Sequence, residues 1–167
     1  MLNEIIVDLD RLLVQVAAVA DGTLTGKALA VSRILEAEVP EKTLYLTGYT
    51  PLAAAGLGFA GKLNLYGVSL LGNNLQGSRS GGIIATCLTR LGIVGIKITG
   101  MAQEQQVLVI QKDGTARLLP LSTYGEGISG TFELARRLYG RHGDGIGLAV
   151  TDPMSTGFSY NAVVCNA

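Results

Sequence analysis

The sequence predicts one α+β domain dominated by β-sheet. Three observations predict it: short β-branched and apolar runs outnumber the helical stretches, an Asp-Gly pair stands between two such runs, and no repeat or long linker divides the 167 residues. A chain of this length buries about 70% of the surface its unfolded form exposes, enough for a single core. We therefore read residues 1–167 as one domain.

Glu4 to Asp8 and Leu12 to Val19 are β-rich runs, the second partly alternating. A helix follows from about Thr25 to Glu38, with Leu24, Ala28, Val31 and Leu35 at helical spacing and Pro40 beyond its end. Thr43 to Thr47 is a strand stopped by Gly48, and Lys62 to Leu70 alternates as a strand does. A polar, glycine-rich loop from Gly72 carries Arg79 into Ser80-Gly81-Gly82, and Gly81 to Leu91 is long enough for three turns of helix before Gly92 stops it. Such a loop at a helix start can present backbone N–H groups to an anion.

Val94 to Thr99 is the next strand. Val107 to Gln111 and Thr115 to Leu119 flank Lys112-Asp113-Gly114, a strong hairpin signal. A last helix covers about Thr131 to Tyr139, with Arg136, Arg137 and Arg141 toward its C-terminal end, where cations suit the dipole. Ile146 to Val150 and Tyr160 to Val164 are the closing strands.

Charged residues make up 16% of the chain, against a usual share of about 25%. Glycine, at 23 residues, is about twice its usual share, and mean hydropathy is +0.38. Two readings stay open: a surface buried against another chain, as in a homo-oligomer, or a compact protein with a Gly/Ala/Ser exterior. Thirteen basic and 13 acidic residues cancel, and the chain has no Trp and no basic stripe, which argues against nucleic-acid binding. No apolar run approaches the length of a membrane span, and the start Met-Leu-Asn-Glu has no positive n-region. Cytoplasmic residence is the expectation. Cys87 and Cys165 make neither a metal spacing nor a disulfide framework.

Several motifs tempt and fail. Gly56-Leu57-Gly58-Phe59-Ala60-Gly61 spells G-x-G-x-x-G, but Lys62-Leu63-Asn64-Leu65-Tyr66 then alternates as a strand, and the dinucleotide site needs a helix there. The same segment nearly spells a P-loop, with Leu63 where a hydroxyl should hold magnesium. His142 reads as a helix cap in solvent, Cys87 as a small core residue, and Asp152 before Pro153 as a turn opener. No catalytic residue and no metal ligand set is assigned.

Taken in order, several segments resemble the N-terminal domain of the tungsten-containing aldehyde ferredoxin oxidoreductases. Ser80-Gly81-Gly82 and Arg90-Leu91-Gly92-Ile93-Val94-Gly95-Ile96-Lys97-Ile98-Thr99-Gly100-Met101-Ala102 resemble that family's S-G-G, helix, K-F-A-G-Y-D-A-I-I-I-E-G-K-A run. Lys42 to Gly48 is similar to its N-K-L, strand, G-P-L-T-G segment, and Leu24-Thr25-Gly26-Lys27-Ala28-Leu29-Ala30 to its L-G-G-R-G-L-A. Asp152 through Asn166 is similar to its G-P-A-G-E-N-L-V-x-F-A-x-I-M-N-D.

The resemblance implies two packed sheets with a few helices, forming a base on which a tungsten bis-pterin lies. Contacts to the cofactor's phosphates and magnesium carry over by position to Lys62, Ser78, Arg79, Ser80, Gly81 and Gly82. Lys62 stands where the family has arginine, Arg79 where it has asparagine, and Val94 where it has aspartate. No segment matches the family's G-R-G-G-x-G-A loop, and two cysteines cannot ligate an iron–sulfur cluster that needs four. The resemblance therefore implies a partner-dependent or non-catalytic relative, possible as one subunit of a split oxidoreductase whose other subunit carries the iron–sulfur cluster. No cofactor is expected on the isolated chain, and a tungsten or molybdenum pterin only with a partner. The alternative is an oligomerising structural or small-ligand-binding module that has lost the cofactor.

Overall fold

The computed structural model describes residues 1–20, 24–50, 61–69, 73–151 and 160–166. Its strands form two mixed sheets, one drawn from the first part of the chain and one from the second. The first holds β1 (Leu2–Asp8), β2 (Leu13–Val19), β3 (Thr43–Thr47), β4 (Leu63–Val68), β5 (Leu75–Ser80) and β6 (Ile93–Thr99), in the order β2-β1-β6-β3-β4-β5. The second holds β7 (Gln106–Ile110), β8 (Ala116–Pro120), β9 (Ile146–Val150) and β10 (Tyr160–Asn166), in the order β8-β7-β10-β9. Two pairings, β1 with β6 and β10 with β7, are parallel.

The sheets face each other across a core of Ile5, Val7, Leu46, Ile96, Ile98, Leu108 and Ile110. Helix α1 (Gly26–Leu35) covers the outer face of the six-stranded sheet, burying Leu29, Ala30 and Ile34 against Tyr45, Tyr66 and Val94. Helix α3 (Thr131–His142) covers the outer face of the four-stranded sheet with Leu134 and Leu138. The short helix α2 (Ile84–Arg90) enters the layer between the sheets, supplying Ile84, Cys87 and Leu88 to the core. Two glycines admit it. A Cβ on Gly48, just after β3, would lie 2.7 Å from the Ala85 backbone, and one on Gly147 of β9 would overlap Ile84.

The hairpin at Asp113-Gly114 forms as the dipeptide predicts. Gly114 takes φ +80, and Asp113 accepts hydrogen bonds from the Thr115 N–H and hydroxyl at 2.9 and 2.6 Å.

Four expectations are corrected. The polar segment ahead of Ser80 is strand β5, not a loop; it is exposed at all six positions and held by its ladder to β4. With neither face on the core, it has no reason to alternate. The helix after it begins at Ile84, two residues beyond Gly82, so Gly81 does not open it.

Helix α1 buries a different stripe from the one its spacing suggests. Leu24 and Leu35 are 56% and 72% exposed, because apolar residues occur around the whole helix and its Arg33 must reach Glu4 on β1. Finally, α3 runs to His142, and that histidine is half-buried with its ring against Tyr124, where the sequence suggests a cap wholly in solvent. The Gly56–Ala60 stretch and Asp152–Pro153 lie outside the described residues.

Candidate functional site

The predicted site residues gather at the free end of the six-stranded sheet. Register sets their sides. In β4 and β5, Leu63 pairs with Ser80, Asn64 with Arg79, Leu65 with Ser78 and Tyr66 with Gly77. Leu63 is buried in the core between the sheets, so Ser78 and Ser80 share that inner side. Tyr66 belongs to the cluster under α1, so Arg79 shares the outer side. Lys62, exposed and immediately before β4, lines neither cavity beside this edge.

The two sides line separate cavities. Ser78, Ser80 and Gly81 line an inner cleft of about 240 Å³ whose other wall is β9, from Leu148 to Val150. Arg79 lines an outer cavity of about 270 Å³ together with Tyr66, Gly77 and Lys27 of α1. The structure thus brings Arg79 beside Lys27 and turns it away from its neighbours Ser78 and Ser80.

Tyr66 lies flat across its cross-strand partner: a Cβ on Gly77 would come within 2.6 Å of the ring. Lys27 and Tyr66 escape sequence reasoning because only the β4–β5 register and the packing of α1 bring them to Arg79. The paired Tyr and Gly are a signal only once that register is known.

Among the described residues, Lys27, Lys62 and Arg79 form no ion pair. Gly81 and Gly82 open onto free space where a Cβ would sit, Gly82 at φ +119, so backbone there can be approached closely. Cations, hydroxyls and bare backbone of this kind fit the phosphate part of an anionic cofactor. They do not fit direct ligation of a transition metal, which would take thiolate, imidazole or carboxylate donors. No group of three or more His, Cys, Asp or Glu that could hold a metal ion occurs among the described residues. No helix among them is long and apolar enough to cross a membrane.

Elsewhere among the described residues, Arg11, Arg33, Arg136 and Arg137 do form ion pairs. Buried Glu4 receives the Arg33 guanidinium at 3.0 and 3.2 Å and the Tyr45 hydroxyl at 2.7 Å. The bond to Glu4 raises the Arg33 pKa further, while burial first, and then Glu4, push the Tyr45 phenol far above its ordinary range.

The family model for the aldehyde ferredoxin oxidoreductase N-terminal domain matches residues 5–167. Among solved structures, the chain is similar to a chain of the "Active site complex BamBC of Benzoyl Coenzyme A reductase in complex with 1,5 Dienoyl-CoA". The TM-score is 0.81 at 18% identity, over 98% of this chain and 30% of that one. At that identity the likeness is one of fold, and the chain spans 30% of the solved chain's length. No curated protein sequence matches.

Proposed function

Because the chain belongs to the family of aldehyde ferredoxin oxidoreductase N-terminal domains, we propose that it is a scaffold for a pterin cofactor that works within a larger oxidoreductase assembly. The family match over residues 5–167 carries this reading. When bound, a tungsten or molybdenum bis-pterin would supply the redox centre. The residues of this chain supply charge and access. On the inner side of the β4–β5 edge, Ser78 and Ser80 would donate hydroxyl hydrogen bonds to phosphate oxygens and Gly81-Gly82 would let backbone N–H groups approach, while Arg79 and Lys62 would neutralise charge from beyond that cleft. Lysine at position 62 offers a point charge in place of a planar fork, so its grip is less directional than arginine's.

The redox partner, and the cysteines for an iron–sulfur cluster, would come from outside these residues, since Cys87 and Cys165 are the two present. The bound partner would be a catalytic oxidoreductase subunit or domain in the cytoplasm. The decisive experiment is calorimetry with a pterin phosphate on the chain and on Arg79→Ala. We expect saturable binding weakened about tenfold or more by the substitution, with folding intact. Elemental analysis of the chain purified alone should show no stoichiometric iron or tungsten. Absence of pterin phosphate binding, or unchanged affinity in Arg79→Ala, would refute the reading.

A second reading, an oligomerising module, is favoured by one observation. Edge strand β2 carries exposed Leu13 and Val16, with Leu12 just before it, at 58%, 41% and 52% exposure, and no charged side chain within it. The other edge, β5, is polar and carries Arg79. Only the latter is guarded against edge-to-edge pairing.

A further inference from the structure

The outer cavity beside β5 has a makeup that the free protein gains nothing from. Two cations, Lys27 and Arg79, line its roughly 270 Å³, and no acidic side chain lines it with them. Neither forms an ion pair among the described residues. Both are exposed, and with no acidic neighbour in the lining they give this cavity a positive field that suits an anion.

The third member is Tyr66. It is 6% exposed, and its hydroxyl forms no hydrogen bond with any described residue. Buried hydroxyls nearly always find partners, because desolvation without a replacement bond costs free energy. The contrast with Tyr45 is direct. In the same cluster under α1, that phenol is spent on Glu4 at 2.7 Å. Tyr66 instead lines the cavity shared by the two cations, with its ring held over Gly77.

We propose that Lys27, Tyr66 and Arg79 form a binding site for the phosphate group of a phosphate ester. Each offers donors that suit an oxyanion, and none carries an opposing negative charge. Two cations match a dianion better than a carboxylate, which would balance only one of them. The cavity is several times the roughly 30 Å³ share of one water molecule, enough for a phosphate and the first atoms of its ester. Lys27 is the second residue of α1, whose first turn holds no acidic side chain, so the positive end of that helix adds to the field. The inference shares Arg79 with the cofactor reading but does not rest on it.

The test is titration of the full chain with inorganic phosphate and with pyrophosphate at physiological ionic strength, followed by calorimetry and phosphorus NMR. One saturable site is expected. Lys27→Gln and Arg79→Gln should each weaken it about tenfold or more, while the distant Lys112→Gln should leave it unchanged. Tyr66→Phe should weaken binding several-fold and at the same time raise Tm, since it removes a hydroxyl unpaired in the free protein. A purely structural tyrosine would move neither quantity in that combination. Lack of saturation at millimolar phosphate, or binding that survives Lys27→Gln and Tyr66→Phe, would overturn the site. Pterin phosphate binding lost in Arg79→Gln alone would leave the cofactor reading standing and remove this one. Phosphate binding that needs all three residues, without affinity for pterin phosphate, would do the reverse.

Discussion

Tyr45 reaches over Gly95 to donate a 2.7 Å hydrogen bond to Glu4, tying β3 to β1 across the strand that separates them. A Cβ on Gly95 would overlap the Tyr45 ring and hydroxyl, so the strand between them must carry glycine there. Arg33 of α1 closes the group from the other side at 3.0 Å, locking helix to sheet.

This relationship sets an order of mutational cost. Arg33→Met leaves the Glu4 carboxylate buried without its cation and should cost about 2–4 kcal/mol, reduced from the fully buried case because Arg33 is partly exposed. Tyr45→Phe removes one neutral donor and should cost about 1–2 kcal/mol. Urea denaturation checks the order. Equal costs would mean that Arg33 contributes packing and not charge.

The wedge of α2 makes a second prediction. Gly48→Ala and Gly147→Ala each push a methyl into helix backbone, which cannot rotate away as a side chain can. Each should destabilise by about 1–3 kcal/mol, and the two should not add, since both displace the same helix. A Tm shift within error for either would show that α2 slides freely between the sheets.

A third concerns acid. Burial first, then the charges of Arg141 and Arg117, hold the His142 pKa below its ordinary value. Its Nε2 lies 2.9 Å from the Tyr124 hydroxyl, and the Arg141 guanidinium sits over that tyrosine's ring. The native state therefore takes up this proton less readily than the unfolded chain. The contribution is complete above the unfolded value of about 6.5 and is lost as pH falls through it toward the lower folded value. Stability should drop as pH falls below about 6.5, and His142→Gln should flatten that slope. An unchanged slope in the variant would assign the acid sensitivity to other groups.

The exposed β2 edge yields the fourth. If it pairs with a copy of itself, light scattering should find an oligomer that persists in high salt, because the strand contributes apolar side chains and no charge. Val16→Lys should return it to monomer by placing like charges across the two-fold. A monomeric parent chain would end the oligomer reading.

Much of the fold is legible in the residues. Strand β3 is bounded by Thr43 and Gly48, and the Asp113-Gly114 turn fixes a hairpin by local chemistry alone. Segments whose outcome depends on distant partners are not. Strand β5 lacks any pattern, since a doubly exposed edge needs only backbone pairing. The buried stripe of α1 is ambiguous until Glu4 draws Arg33 inward. The site divides in the same way. Arg79 stands out as the lone cation of a polar stretch, whereas Lys27 and Tyr66, 52 and 13 positions upstream (79 − 27 and 79 − 66), join it only through register and helix packing.

The placement of β10 between β7 and β9 bears on how the chain acquires its structure. Every strand of the six-stranded sheet lies within residues 2–99, so that sheet has all its pairing partners as soon as that stretch has been synthesised. The four-stranded sheet does not. The β7–β8 hairpin and β9 have no hydrogen-bonded ladder to each other until residues 160–166 slot between them, one side parallel and one antiparallel. Parallel closure over such a separation in sequence is entropically slow. Folding should therefore run in two stages, with the first sheet and α2 waiting, one apolar face bare, for the last strand to arrive. That interval is when the chain is most exposed to aggregation or to capture by a chaperone.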